Sequence, residues 1–302
     1  MVDNSASFHS GESHALWRLL SRQPRSVETA LIDFHTHSAA SDGALSPDEV
    51  TRRAIDAGVT KLALTDHDTI AGYLSVREQV PPMLRLISGV ELSCQWGSTG
   101  IHIVGLGFDL AEERLQRHLR HLNDARQQRA VRIGERLAKL GVTGALDGAL
   151  AVAGGAQIGR PHFAAWMVQA GFVEDEATAF KKYLGRGKPG DISVLWPRLI
   201  ETVQALTDSG GTAVLAHPLE YRLTATKLRA LCDDFCAAGG KAIEVINGKP
   251  DPRHQDMLWR LVRDKSLMVS VGSDFHRDTS FGPGLGIDVS KIPEGLGVWE
   301  CL

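Results

Sequence analysis

Leu31-Ile32-Asp33-Phe34-His35-Thr36-His37 is an apolar run interrupted by three groups able to do chemistry. In an extended chain the side chains at i, i+2 and i+4 share a face, so Asp33, His35 and His37 can point the same way. Two imidazoles at that spacing suit chelation of one ion, although a single His-x-His is common by chance and carries little alone. The texture then repeats. Short apolar runs fall at 31–34, 61–65, 86–91, 101–106, 212–216, 241–246 and 267–271. Each is the length of a strand, and their continuous apolar character predicts burial on both faces and mainly parallel pairing.

Helical segments separate several of these runs. Ser46-Pro47-Asp48-Glu49 offers an N-cap, a proline at the first helical position and a glutamate to close a capping box, and Gly58 ends the segment. Further helices are predicted at 197–209, 225–238 and 253–265. Only a short stretch around 95–100 separates the third and fourth strands, so a hairpin is expected there. Strands alternating with helices predict a barrel-like α/β domain.

The ends of the runs hold the chemistry. Asp42 sits in a Ser-Asp-Gly turn, and the second run ends in Thr65-Asp66-His67-Asp68. The third run ends at Glu91, the fourth contains His102 and the fifth ends at His217. The seventh leads into Gly272-Ser273-Asp274-Phe275-His276. Six of the twelve histidines therefore lie in or just beyond apolar runs. Histidines and carboxylates are costly to bury unless paired or metal-bound. In α/β barrels the C-terminal strand ends form the active site. Nitrogen and oxygen donors without sulfur favour Mn²⁺, Fe²⁺ or Zn²⁺ over a thiolate site. Nine ligands exceed what one ion can use, so two or three divalent ions are expected, able to activate a water and clamp phosphoryl oxygens.

Residues 111–190 interrupt the alternation. They open with a long helical stretch, 111–140, and continue with Gly-rich and short helical pieces. This segment carries 13 Lys and Arg against 8 Asp and Glu, a net of +5, whereas the whole chain is at −3. A basic insertion on an acidic body predicts an anionic ligand between them. On the long helix Leu115, Leu119, Leu122, Ile133, Leu137 and Leu140 form an apolar stripe whose steps also land on Arg126 and Arg129. Arginines in a buried register are costly unless an anion meets them. Arg126, Arg129, Arg160 and Lys188 are therefore taken as a clamp for a phosphate that is not cleaved. His162 lies beside that phosphate or simply packs.

The set His35-x-His37, Ser41-Asp42-Gly43, Thr65-Asp66-His67-Asp68, Gly89-Val90-Glu91, Ala216-His217-Pro218 and Ser273-Asp274-Phe275-His276 resembles the polymerase and histidinol phosphatase (PHP) family, in order along 31–276. The resemblance implies a distorted seven-stranded (β/α) barrel, with the small, mainly helical segment inserted in it, and a trinuclear metal site. It assigns His35, His37, Glu91 and Asp274 to one ion, Asp42, His67 and His276 to a second, and Glu91, His102 and His217 to a third. His217, Asp274 and His67 then stand in catalytic positions. The inserted segment is similar to that of small bacterial 3′,5′-nucleoside bisphosphate phosphatases, some of whose relatives act as 5′→3′ exoribonucleases. The matching stretches are 102–107, 126–129, 160–163 and 182–190. Pro161 departs from the small polar residue more usual there. The implied activity is removal of a 3′-phosphate from nucleoside bisphosphates and trimming of short 5′-phosphorylated RNA. Histidinol-phosphate or cyclic-phosphate hydrolysis is the nearest alternative, and a non-catalytic module of a nucleic-acid enzyme is a more distant one.

The composition fits this reading. With 302 residues, 43% hydrophobic and 23% charged, the chain reads as a globular protein. No run approaches the ~20 apolar residues of a membrane span. Residues 1–30 lack the signature of a signal peptide and are read as an extension with a short helix at 15–20. Cys232 and Cys236 sit one helical turn apart with no second pair, so helix packing is favoured over a metal site. The expected compartment is the cytoplasm, with a nucleotide or short oligoribonucleotide as substrate and no obligate protein partner. The expected domains are a metal-binding barrel (31–110 and 191–302) and a substrate-clamp insertion (111–190).

Overall fold

The computed structural model describes residues 31–192, 196–248, 252–279, 282 and 284–302; the extension and its expected helix at 15–20 lie outside the described residues. Strands β1 (Leu31–Asp33) and β2 (Val59–Ala63) pair in parallel, and β3 (Arg85–Ile87) joins β2 in parallel. A second sheet runs β4 (Gly89–Trp96), β5 (Thr99–Leu106), β6 (Thr212–Leu215), β7 (Ala242–Asn247) and β8 (Met268–Gly272). A short β9 (Ile287–Asp288) lies antiparallel to β1.

The sheets meet along two seams, both built from segments that carry the expected ligands. At one, Asp274 N–H donates to His35 O at 2.8 Å and His37 N–H to Phe275 O at 2.8 Å. At the other, Asp68 N–H donates to Glu91 O at 2.8 Å and Glu91 N–H to Asp66 O at 3.3 Å. The result is a ring of seven strands, β1, β2 and β4 to β8, with β3 and β9 outside it. Gly272 permits the first seam: a Cβ there would lie 2.3 Å from His35 Cβ and 2.7 Å from its backbone nitrogen.

One expectation on the strands needs correcting. The run at 86–91 is not one strand. It breaks at Ser88, so β3 serves the first sheet and β4 the second. The order of parallel and antiparallel pairs also needs one addition. Pairing is mainly parallel and the hairpin forms as expected, but by reversing β5 it makes β5–β6 antiparallel as well as β4–β5. That reversal brings His102, near the start of β5, to the end of the barrel where the other strands finish.

The helices follow their sequence signals. Helix α1 (Pro47–Asp56) starts on Ser46, whose N–H donates to Glu49 at 2.9 Å while Glu49 N–H donates back to Ser46 Oγ at 3.3 Å. A short α2 (Ala71–Val76) follows β2. Helix α3 (Glu113–Ala138) is the long basic one. After it come α4 (Ala145–Ala153), α5 (Arg160–Gln169) and α6 (Glu176–Ala179), which runs on into a π-turn, Phe180–Leu184. Helices α7 (Leu199–Asp208), α8 (Ala225–Ala237) and α9 (Pro252–Lys265) cover the second sheet.

Apolar packing divides inside α3. Leu115, Leu119 and Leu122 belong to the barrel core, whereas Ala125, Ala130, Ile133 and Leu137 belong to a second core with Phe163, Met167 and Leu184. Leu140, expected on the same stripe, is 51% exposed because α3 has already capped at Lys139.

Gly272→Ala tests the close seam. Overpacking against backbone costs about 1–3 kcal/mol or more, so the variant should melt several degrees below the parent in calorimetry.

Candidate metal centre

The six histidines and three carboxylates expected at strand ends meet in one place, with Glu91 in the middle. Its Oε1 lies 2.8 Å from His217 Nε2, 2.9 Å from His102 Nδ1 and 3.4 Å from His35 Nε2. Its Oε2 lies 2.8 Å from His67 Nδ1 and 3.4 Å from His37 Nε2. His35 and His37 face each other through Nε2 at 3.2 Å, and both face Asp274 Oδ1, at 3.4 and 3.3 Å. Asp42 closes the other side, 3.7 Å from His67 Nε2, 3.8 Å from His37 Nδ1 and 3.5 Å from His276 Nε2.

The arrangement fits divalent cations. Donors about 2.1 Å from one ion at tetrahedral angles stand about 3.4 Å apart, the spacing seen here. Hydrogen bonding within the protein leaves part of the set unmet: His37 Nδ1, His67 Nδ1, His217 Nδ1 and Glu91 Oε2 are buried without a hydrogen-bond partner. The short His67–Glu91 approach does not relieve this, because it is misaligned for a hydrogen bond. Charge tells the same story. Burial pushes the Glu91 carboxyl up, but the imidazoles of His102, His67 and His35 outweigh it and hold the group well below the usual range. Burial, reinforced by His276, brings His37 down to about 3, so it is a neutral donor. His217 is the exception: burial pushes it down, yet its hydrogen bond to Glu91 and that carboxylate's charge bring it up to about 9. A bound cation would have to displace that proton.

Residues behind the donors aim them. Glu244, in the middle of β7, accepts from His35 Nδ1 at 2.6 Å and from His217 N–H at 2.7 Å. That bond leaves the His35 Nε2 lone pair facing the centre. His276 Nδ1 donates to Asp274 O at 2.9 Å, which frees its Nε2 similarly. Asp33 is not among the donors. It accepts from Ser273 and Gly286 backbone N–H groups at 2.8 and 2.9 Å, and burial pushes its carboxyl up to about 6. Asp66 binds the Ser38 N–H and the hydroxyls of Ser38 and Ser41, each at 2.7 Å, and so shapes the turn that carries Asp42. Asp68, His217 and Asp274 adopt φ values of 54°, 25° and 54°. Non-glycine residues hold such conformations at a cost of about 1–3 kcal/mol each, typically where function requires it.

A recess of about 430 Å³ opens onto Asp42, His67, His102 and His217 and is lined elsewhere by Arg126, Arg129, Arg160 and Arg186. Arg126 is committed within the protein, since its Nε donates to Asp68 Oδ2 at 2.5 Å and its other nitrogens reach Ile158 O and Ser93 Oγ at 3.2 Å. Arg129 is not. Its buried Nε has no hydrogen-bond partner, its guanidinium lies 5.7 Å from the Trp196 ring, and burial with Arg160 and Arg126 nearby brings it down to about 9. Arg160 donates to Leu184 O at 3.1 Å and approaches Asp191 at 3.9 Å. His162 is buried with its Nδ1 accepting from Gly159 N–H at 3.0 Å, and it caps α5 outside the recess lining. Lys188 is exposed and also stands outside the lining, its backbone closing turns with Gly185 and Asp191. Arg186, two residues earlier, lines the recess instead. Both lie in the same Gly-rich basic stretch, and the spacing alone does not distinguish them.

Residues 33–132 match the family model described as PHP domain. A 5′-3′ exoribonuclease of Haemophilus influenzae is 41% identical over 90% of this chain and 99% of its own length. The chain belongs to the PHP family of metal-dependent phosphoesterases. A 3′,5′-nucleoside bisphosphate phosphatase of Chromobacterium violaceum is likewise 41% identical, over 90% of this chain and 96% of that one. A structure described as an amidohydrolase from the same organism, solved with bound sulfate and no metal, superposes with a TM-score of 0.81 at 37% identity, over 89% of this chain and 94% of that one. This PHP protein is thus a hydrolase of phosphoric ester bonds, which sets aside the non-catalytic module. Among the described residues, no helix is long and apolar enough to cross a membrane.

Metal should stabilise this PHP fold directly. An ion at a hundredfold excess over its Kd contributes about 2.7 kcal/mol, equivalent to a Tm rise of roughly 5–11 °C for a chain of this size. Thermal melts with chelator and with added Mn²⁺ should differ by at least that amount; coincident melts would contradict a metal centre.

Proposed function

We propose that this enzyme removes the 3′-phosphate from nucleoside 3′,5′-bisphosphates and trims short 5′-phosphorylated RNA from its 5′ end. One observation supports the reading: a single recess joins the ligand cluster to arginines of the inserted segment. A substrate with two phosphate groups has one for each. Both reactions break a bond between phosphorus and a 3′-oxygen, so a phosphodiester occupies the same place as a 3′-phosphate. Arg126 is balanced by Asp68, and Asp191 partly balances Arg160. The charges of Arg129 and Arg186 remain to meet a dianionic 5′-phosphate. A substrate with one phosphate, such as histidinol phosphate, leaves them unmatched.

In this reading His35, His37, Glu91 and Asp274 would hold one ion, Asp42, His67 and His276 a second, and Glu91, His102 and His217 a third. Mn²⁺ suits the donors, with Fe²⁺ or Zn²⁺ as alternatives. Bound there, such ions supply an activated water and offset charge on phosphoryl oxygens. His67 and His217 border the space for the scissile phosphate, and Asp274 faces His35 and His37 on the other side of the ligand set. Residues 111–190 act as the clamp inserted into the barrel of 31–110 and 191–302, with α3 spanning both cores. The four cysteines are free, which fits the cytoplasm.

Phosphate release from adenosine 3′,5′-bisphosphate with Mn²⁺ should far exceed that from histidinol phosphate, and short 5′-phosphorylated RNA should yield mononucleotides. Equal turnover of histidinol phosphate would overturn the assignment. Elemental analysis should find about two or three ions per chain; one or fewer would dismantle the cluster.

Arg129→Ala tests the clamp separately. Hydrogen bonds to charged groups contribute roughly 1.5–3 kcal/mol. The variant should therefore lose about ten- to a hundredfold in kcat/KM on the bisphosphate. It should lose little on a nucleoside 3′-monophosphate, itself a poor substrate, and keep its metal content. An equal loss on both substrates would mean that Arg129 supports the fold or the metal site instead.

A further inference from the structure

The donors are not all held in the same way. His35 and His276 each have an outer ring nitrogen hydrogen-bonded to an oxygen, of Glu244 and of the Asp274 backbone respectively. His217 does not, since its Nδ1 is buried without a partner. Its Nε2 nevertheless sits 2.8 Å from Glu91 Oε1 and 3.3 Å from His102 Nδ1. Something other than a hydrogen bond at the outer ring nitrogen must orient it.

The backbone around it shows what that is. Strand β6 pairs with β5 as far as Leu215 opposite Ile103, with a last link from Ala216 N–H to His102 O at 3.3 Å. The chain then turns away at His217. Beyond that point the His102 N–H and the Ala216 carbonyl have no strand partner. The Tyr221 hydroxyl supplies both needs, accepting from His102 N–H at 2.9 Å and donating to Ala216 O at 2.8 Å. Its ring is 7% exposed and stands edge-on to the His217 ring, 5.4 Å between centroids at 67°. The turn is closed by Glu220 N–H to His217 O at 2.9 Å, and Arg186 donates to Tyr221 O at 3.3 Å.

We propose that Tyr221 is a positioning residue that sets the spacing of His102 and His217 about Glu91. One phenol ties together the backbones of the two strands that carry these histidines and packs on the imidazole lacking an outer partner. The inference rests on the reading that Glu91, His102 and His217 hold a divalent ion.

Tyr221→Phe keeps the ring and removes the two hydrogen bonds. Metal-free protein is titrated with Mn²⁺ in a calorimeter, and the ions retained after dialysis are counted by elemental analysis. Loss of an outer partner typically weakens metal binding by about 10–100-fold, so one Mn²⁺ class should weaken by at least tenfold while the others are unchanged. Excess Mn²⁺ should restore kcat, with KM for adenosine 3′,5′-bisphosphate unaltered. His102→Ala serves as the reference and should lose one ion outright. If His102→Ala retains the full complement, the trio is not an ion site and the underlying reading fails. If His102→Ala loses an ion but Tyr221→Phe binds every Mn²⁺ as tightly as the parent, the role given to Tyr221 is wrong, even if the metal-free variant melts lower. Should Tyr221→Phe be insoluble, Tyr221→His carries the same comparison, because its shorter ring falls short of the phenol oxygen's position.

Discussion

Glu91 is 1% exposed, and imidazole nitrogens of His35, His37, His67, His102 and His217 all lie within 3.4 Å of its two oxygens. Removing a carboxylate from water costs several kcal/mol unless positive charge accompanies it. The same residue also closes the barrel, since its backbone bonds to Asp66 and Asp68 join the two sheets on that side. Fold closure and ligand placement are therefore one event at this point. The opposite seam repeats the logic, with Asp274 and His37 bonded across it. A chain that failed to bring these seams together would lose the barrel and the metal centre at once.

The recess depends on a second link, between Asp68 and Arg126. Asp68 follows the donor His67, takes a left-handed backbone conformation, accepts from Ser93 N–H at 2.6 Å and pairs with Arg126 from α3. Both partners are buried, so breaking the pair strands a charge and costs about 3–5 kcal/mol. Gln157 N–H donates to Ala40 O at 2.9 Å, and Glu176 on α6 meets Arg277 at 3.1 Å. Three contacts thus fix the helical segment against the loops that carry Asp42, His67 and His276. Arg126 and Arg129 share the Trp196 ring at 5.6 and 5.7 Å. One arginine secures the segment while its neighbour is left with an unsatisfied Nε.

Much of the centre was legible because donors at strand ends interrupt an otherwise apolar texture, as at His35, His37 and His217. The capping box at Ser46 and Glu49 was equally local and was read correctly. Glu244 escaped notice because it sits inside a strand, flanked by Ile243 and Val245, and its value lies in reaching His35 across the barrel. A carboxylate within such a run was the available signal. The reversal of β5 followed from the hairpin, but the run 86–91 hid the break at Ser88, where the Ser88-Gly89 pair was the available signal. Lys188 and Arg186 lie two residues apart in one Gly-rich basic stretch, and composition alone did not say which of them lines the recess. Tyr221 was invisible for a similar reason. Its role depends on where β6 leaves the sheet.

The central claim is that one recess holds a Glu91-centred cation cluster and an arginine site for a second phosphate. Crystals grown with Mn²⁺ and adenosine 5′-monophosphate test it most directly, by anomalous diffraction at the manganese edge. The account predicts strong peaks within coordination distance of Glu91, with the 5′-phosphate against Arg129 and Arg186 and the 3′-hydroxyl turned toward the metal. Anomalous peaks remote from Glu91, or a nucleotide bound with its 5′-phosphate on the metal cluster and the arginines empty, would contradict it.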